Sequence, residues 1–121
     1  NSQPELVGVT FMHIDEGIDT GEVIHQIRAK YVFGDTPSTI GNRLIIDMSR
    51  TLIKIIANFE ELVKMNQMPI PKDEKVYKKA DYTEESVIKL YDNFNSGLVE
   101  DYLDNKNVKN KKFPIIENNN I

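Results

Sequence analysis

The sequence contains no cysteine and only two histidines. The lack of cysteine excludes a disulfide framework, a thiolate nucleophile and a cysteine-ligated zinc site. His13 and His25 lie too far apart in sequence to form the closely spaced histidine pair of many zinc sites. Each histidine fits a ligand, an acid–base group or a polar residue on a strand face. The composition therefore predicts no metal site.

Basic residues are outnumbered by acidic ones, with 15 Lys and Arg against 19 Asp and Glu and a net charge of −4. This balance argues against a dedicated nucleic-acid surface. No apolar run approaches the roughly 18 residues of a membrane span, and the amino terminus lacks the charged and apolar regions of a signal peptide. We therefore expect a cytoplasmic protein without a nucleic-acid or membrane partner.

The length of 121 residues suits one ordinary domain and excludes two full ones. The first residue is Asn1 and not methionine, so we expect the later part of a longer natural chain. Composition divides the chain into three regions, because a Pro-containing run follows the main helix and the carboxyl terminus is rich in Asn and Lys. These are a core over residues 1–66, a helical extension over 67–104 and a poorly ordered tail over 105–121.

Two extended segments open the chain. Residues 7–14 are β-branched and aromatic and predict a strand, which ends in the turn-rich residues 15–21. Residues 22–33 alternate in polarity and predict a second, half-buried strand. Its expected buried face carries Val23, His25, Ile27, Ala29 and Tyr31.

Helix signals follow the second strand. Thr36 is a capping residue and Pro37 suits the first helical position. Over residues 40–62 apolar side chains recur every three or four positions, and we expect this stripe to pack on the sheet. A shorter amphipathic helix is expected between the capping run at 81–84 and the stop signal at 95–97, with another turn or two over 98–103.

The loop at residues 15–21 is acidic and contains glycine. Glycine lets the backbone approach a ligand closely, and Asp19 stands where backbone donors can hold a carboxylate. From residue types alone, a solvated turn is the commoner explanation of such a loop. A calcium loop fits poorly, because Gln26 stands where the twelfth position needs a glutamate.

Residues 7–26 read V-G-V-T-F-M-H-I-D-E-G-I-D-T-G-E-V-I-H-Q and closely resemble the signature of formyltransferases that use 10-formyltetrahydrofolate. Asp35, Thr36 and the long helix also look like this family, so the resemblance covers residues 3–63. It implies an α/β fold, namely the carboxyl-terminal part of a Rossmann-like catalytic domain with a small helical extension. It also implies transfer of a formyl group from 10-formyltetrahydrofolate to a primary amine.

The resemblance assigns five residues. Asp19 matches the catalytic aspartate of the family, whose carboxylate orients a charged imidazole or relays protons. Asp15, Glu16, Gly17 and Ile18 match the folate-binding loop, in which mostly backbone groups contact the pterin.

One part of the family pattern is missing. The catalytic Asn and His of these enzymes come from an Asn-x-His segment, and none occurs in this sequence. Neither His13 nor His25 matches that histidine. We therefore expect the chain to be an incomplete portion of the enzyme that does not turn over alone.

Residues 15–22 and the short helical extension are most similar to amino-sugar N-formyltransferases. This similarity implies a nucleotide-linked amino sugar as acceptor, in surface polysaccharide or lipopolysaccharide biosynthesis. Methionyl-tRNA and glycinamide ribonucleotide are the alternative acceptors, and a homodimer is left open. A non-catalytic fragment that acts as an interaction module is the alternative from another class, and it predicts a partly exposed helix stripe over residues 40–62.

Overall fold

A computed structural model of the protein describes residues 1–13, 22–61 and 79–118. Two strands, β1 (Gly8–Met12) and β2 (Val23–Arg28), are followed by the long helix α1 (Pro37–Ala57). Three shorter helices come after it, α2 (Glu84–Asn95), α3 (Leu98–Asp104) and α4 (Lys106–Lys112). Single 3-10 turns are formed by Pro4–Leu6, Phe59–Glu61 and Lys79–Asp81. The described part of the chain thus mixes helices with one small sheet.

The sheet is an antiparallel hairpin of β1 and β2. Gly8 lies opposite Arg28, and the backbone N–H of Ala29 donates to the carbonyl of Val7 at 2.8 Å, beyond the last strand residue. The prediction of two strands is confirmed, although both are shorter than the sequence suggests. The expected one-sided burial of the second strand is wrong at its start, where the neighbouring residues Val23 and Ile24 are both buried.

Helix α1 begins where the sequence predicts. The Thr36 hydroxyl accepts from the backbone N–H of Thr39 at 3.3 Å, and the Thr39 hydroxyl accepts from the backbone N–H of Thr36 at 2.9 Å. Pro37 occupies the first turn, where its missing N–H costs nothing. The helix ends at Ala57, earlier than the apolar pattern suggests, and the Asn58 side chain donates to the Lys54 carbonyl at 3.0 Å.

The hydrophobic core lies between the end of β2, the start of α1 and helix α3. Its buried members are Ala29, Tyr31, Ile40, Val99 and Tyr102. The core therefore joins residues from both sides of the expected boundary between residues 66 and 67. The boundary itself stays a prediction, because residues 62–78 lie outside the described part of the chain.

Part of the apolar stripe of α1 stays exposed, contrary to expectation. Ile40 and Ile55 are the buried residues of this helix, whereas Leu52 is 45% and Ile56 is 68% exposed. At about 1.5 Å per residue a helix of 21 residues is about 31 Å long, whereas a strand of six residues spans about 20 Å. A hairpin of such short strands cannot cover the whole helix.

The carboxyl-terminal residues have more structure than their composition suggests. The Lys-rich residues 106–112 form α4, and the Lys109 ammonium lies 3.1 Å from the Asp101 carboxylate. Residues 113–118, here called the strap, lie along β2, where the backbone N–H of Gln26 donates to the Ile116 carbonyl at 2.7 Å. The backbone groups of the strap find partners on a strand edge, which a count of Asn and Lys does not reveal.

Gly8→Ala is expected to lower the free energy of unfolding by about 1–3 kcal/mol. The added Cβ would overlap the carbonyl oxygen of Ile27 on the opposite strand. Gly41→Ala in α1 is the matched control, because its Cβ meets no atom within 4 Å, and alanine should stabilise the helix by about 0.5–1 kcal/mol. Urea unfolding followed by circular dichroism measures both. Unchanged stability of Gly8→Ala would contradict the close approach of the strands.

Candidate functional site

All five residues assigned by the sequence resemblance lie in the connection between β1 and β2. Asp15, Glu16, Gly17, Ile18 and Asp19 fall within residues 14–21, which are outside the described residues. The structure therefore bears on this site through the residues that flank it. The roles of the five assigned residues stay predictions.

Both ends of the connection are held together by the hairpin. Met12 lies opposite Val23, and the backbone N–H of His13 donates to the Glu22 carbonyl at 2.9 Å. Strand pairing thus continues to the last described residue on each side. His13 and Glu22, which flank residues 14–21, are thus held side by side, and this pair is here called the closed base of the connection.

A register shift lies directly beside this base. Phe11 lies opposite His25 and Met12 opposite Val23, so Ile24 is an extra residue in β2. Such a bulge increases the local twist and re-aims neighbouring side chains, and bulges are over-represented beside active sites. The Ile24 side chain is buried, which fixes the bulge in place.

The two histidines have different surroundings. The His13 ring packs edge-on against Phe59, with ring centroids 5.6 Å apart, and so joins the end of β1 to the turn after α1. His25 Nδ1 accepts the backbone N–H of Asn118 at 2.9 Å. Burial lowers the pKa of His25, and the nearby Glu117 carboxylate opposes this shift. Both histidines therefore have structural contacts.

Asp35 organises the turn between β2 and α1. Arg43 donates to both of its carboxylate oxygens, at 2.9 and 2.8 Å, and also to the Lys30 carbonyl at 2.8 Å. The backbone N–H of Val32 and the hydroxyl of Thr39 donate to the same carboxylate. The hydrogen bond from Arg43 is the main reason that the pKa of Asp35 falls to about 2. Asp35 is one of the residues that look like the formyltransferase family, and its contacts give it a structural role in this turn.

Sequence reasoning missed Arg28. Its Nε donates to the Glu5 carbonyl at 2.8 Å, and its terminal nitrogen donates to the Phe113 carbonyl. One guanidinium thus joins the amino-terminal turn, β2 and the strap. No local pattern reveals this role, because Phe113 is 85 positions away along the chain.

A wide groove of about 1170 Å³ lies among the described residues. Its lining includes Arg28, Tyr31, Leu44 and Phe94, and it includes neither His13 nor Glu22. Arg28 is already bonded to two backbone carbonyls.

Two further kinds of site are absent from residues 1–13, 22–61 and 79–118. Within these ranges no group of three or more His, Asp or Glu side chains is arranged to hold a metal ion. Nor does any helix there have the length and apolar character to cross a bilayer.

Seventy residues of the chain are similar to methionyl-tRNA formyltransferases. The similarity is 30% identity with the enzyme of Paraburkholderia phytofirmans, 34% with that of Burkholderia multivorans and 30% with that of Burkholderia mallei. In each case the match covers 58% of this chain and 21% of the relative, so the chain spans about a fifth of these proteins. No protein-family model matches, and no solved structure gives a significant match.

These relatives support the resemblance at the level of formyl transfer. They do not support the finer similarity to amino-sugar enzymes, because their names specify methionyl-tRNA. The mixed helix and strand structure with its small sheet is compatible with part of an α/β formyltransferase domain.

Asp35→Asn is expected to lower the free energy of unfolding by about 1–2 kcal/mol at pH 6, since Arg43 loses a charged partner. Because the pKa of Asp35 is depressed from 3.8 to about 2, this stabilisation is present above pH 4 and is lost as the pH falls toward 2. The difference between parent and variant should therefore shrink over that range. Denaturant unfolding at several pH values measures it.

The matched control is Asp92→Asn, an exposed carboxylate on α2. It should change stability by less than about 0.5 kcal/mol at every pH. A pH-independent difference between the parent and Asp35→Asn would contradict the ion pair with Arg43.

Proposed function

We propose that this chain supplies part of the catalytic domain of an enzyme that transfers a formyl group from 10-formyltetrahydrofolate to a primary amine. The observation that carries the proposal is the 70-residue similarity to methionyl-tRNA formyltransferases. The signature at residues 7–26 supports it, because that segment forms the hairpin and its connection.

Asp19 is the proposed catalytic residue, and Asp15, Glu16, Gly17 and Ile18 form the proposed folate-binding loop. The closed base between His13 and Glu22 supports this assignment, since it fixes where the loop leaves the sheet. Catalytic and binding residues commonly lie on loops that a rigid scaffold positions. The adjacent bulge at Ile24 fits the same role.

The chemistry explains why a carboxylate is needed. A bond forms between the amine nitrogen and the formyl carbon, the bond from that carbon to N10 of the folate breaks, and a proton moves from the amine to N10. The tetrahedral oxyanion needs hydrogen-bond donors, and the proton needs a positioned acid–base group. The Asp19 carboxylate would orient and keep charged an imidazole, or relay the proton through water.

Further polypeptide must complete this site. The sequence lacks the Asn-x-His segment, so the imidazole and the amide of the proposed site must come from outside residues 1–121. The exposed apolar side chains of α1 support this view, because they leave room for more of a Rossmann-like sheet. Exposed members of this face are Ile45, Ile46, Leu52, Ile53 and Ile56.

For the acceptor we propose a nucleotide-linked amino sugar. Residues 15–22 and the short helices that follow the core favour it, and a net charge of −4 suits a polyanionic tRNA poorly. Methionyl-tRNA is the second candidate, because the relatives carry that acceptor in their names.

A non-catalytic interaction module is the alternative from another class. The exposed face of α1 favours it as much as it favours an incomplete enzyme. The nature of the upstream coding sequence separates the two. An in-frame Asn-x-His segment before the codon for Asn1 supports the enzyme, and a start codon at that point supports the module.

Asp19→Asn in the protein completed by its Asn-x-His segment should lower kcat by about 10²- to 10⁴-fold, because a positioned acid–base group is lost. Asp15→Asn should have a much smaller effect if backbone groups contact the pterin, and Asp92→Asn on α2 should have none. Steady-state formyl transfer measures turnover, and circular dichroism checks the fold. Full turnover by Asp19→Asn would remove this residue from the mechanism.

An acceptor competition tests the substrate. With 10-formyltetrahydrofolate as donor, the completed protein should formylate a nucleotide-linked amino sugar with a kcat/KM at least about 100-fold above that for methionyl-tRNA. Mass spectrometry of both acceptors from one reaction measures the ratio. The reverse preference would establish the second candidate, and labelling of neither acceptor would contradict both assignments.

A further inference from the structure

Gln26 holds the strap to β2 through both its backbone and its side chain. Its backbone N–H donates to the Ile116 carbonyl at 2.7 Å, and its side-chain Oε1 accepts the Ile116 N–H at 2.8 Å. Its side-chain Nε2 donates to the Thr10 hydroxyl on β1 at 3.1 Å, which orients the amide. Gln26 thus satisfies both backbone groups of Ile116.

The two ends of the strap are also fixed. Arg28 donates to the Phe113 carbonyl at the start. At the end, the Asn118 side chain donates to the Ile24 carbonyl at 3.4 Å, and Asn118 is only 5% exposed. The strap therefore covers the β2 edge beside the bulge that flanks the proposed loop.

One of these contacts depends on protonation. His25 Nδ1 accepts the backbone N–H of Asn118 at 2.9 Å, which requires an imidazole without a proton on Nδ1. In the imidazolium form both ring nitrogens are donors. A donor would then face a donor, and the bond to Asn118 would be lost.

The surroundings of His25 decide which form is held. On the β1 side it faces the uncharged ring of Phe11, at 6.5 Å between centroids. Burial lowers the pKa of His25, and the Glu117 carboxylate opposes that shift. His25 lines a cavity of about 590 Å³, and the charged residues of that lining are Arg28, Lys30, Lys54, Lys106 and Glu117. Four of these five residues are cationic. Among them, Glu117 is the one whose charge favours a protonated imidazole at His25.

We propose that residues 113–118 are a pH-sensitive strap, which the neutral imidazole of His25 holds closed against β2. Protonation of His25 turns Nδ1 into a donor, breaks the contact with Asn118 and releases the strap from the strand edge at Ile24 and Gln26. This proposal does not depend on formyl transfer, because it rests on the contacts of the strap alone.

The pH range in which the strap opens follows from the lowered pKa of His25. The strap stays fully closed above the ordinary His pKa of 6.5. As the pH falls below that value, the released form takes up a proton more readily than the closed form, so closure weakens. It weakens further until the pH passes the lowered pKa of the closed state.

Amide hydrogen exchange of the full chain by NMR tests the strap directly. After correction for intrinsic exchange, protection of the Ile116 and Asn118 amides should fall about three- to tenfold between pH 7.5 and pH 5.5. Protection of core amides such as that of Tyr102 should stay constant, which separates strap release from unfolding. Strap protection that does not change with pH in the unmodified protein would overturn the proposal.

Two variants identify His25 as the titrating group. In His25→Asn the side-chain Oδ1 replaces Nδ1 as acceptor and does not titrate, so protection should persist at pH 5.5. His13→Asn is the matched control, because His13 packs on Phe59 and should leave the wild-type pH dependence unchanged. A pH dependence that persists in His25→Asn would assign the effect to another group and refute the role of His25.

Glu117→Gln supplies an independent check. Since Glu117 raises the pKa of His25 in the closed strap, its removal should lower the midpoint at which His25 titrates. The His25 Cε1–H chemical shift measures this midpoint. A midpoint that moves to higher pH would contradict the electrostatic account.

Discussion

The fold depends on the buried contact between Tyr31 and Tyr102, whose rings meet edge to face with centroids 5.0 Å apart. Tyr31 follows β2 and also donates its hydroxyl to the Pro4 carbonyl at 2.9 Å. Tyr102 lies on α3 and donates to the Asn110 side chain at 2.7 Å. This pair therefore fixes the helical part on the hairpin, because aromatic rings bury a large area in a specific geometry. It also sets the position of α4, from which the strap returns to β2.

The hairpin connects this core to the proposed chemistry. Its pairing ends at His13 and Glu22, so the acidic connection starts from a rigid base. On the other side of β2 the strap covers the strand edge, which would otherwise leave backbone groups unpaired. The exposed side chains of α1 show that the described part does not bury all of its apolar surface. The chain spans about a fifth of the length of the methionyl-tRNA formyltransferases that it matches.

Local signals were predictable from the sequence where the forces are local. Thr36, Pro37 and Thr39 determine the start of α1 through short-range capping contacts, and the two strands follow from β-branched runs. The burial of α1 was not predictable, because apolar periodicity identifies the face that favours burial but not whether other residues pack against that face. The strap was missed for the opposite reason, since its residues lack a periodic pattern yet pair with β2. For the candidate site, the sequence predicted the residues, and the structure showed the paired residues His13 and Glu22 that flank them.

The sequence by itself determined the two strands, the start of the long helix and the signature that indicates formyl transfer, because each depends on neighbours along the chain. Only the tertiary structure decided the partners of Arg28, Gln26 and His25. Their partners in the strap stand 85 to 93 positions away in the chain. Their contacts form only after the Tyr31–Tyr102 core has brought the carboxyl-terminal residues back to the strand, and no local pattern encodes that return.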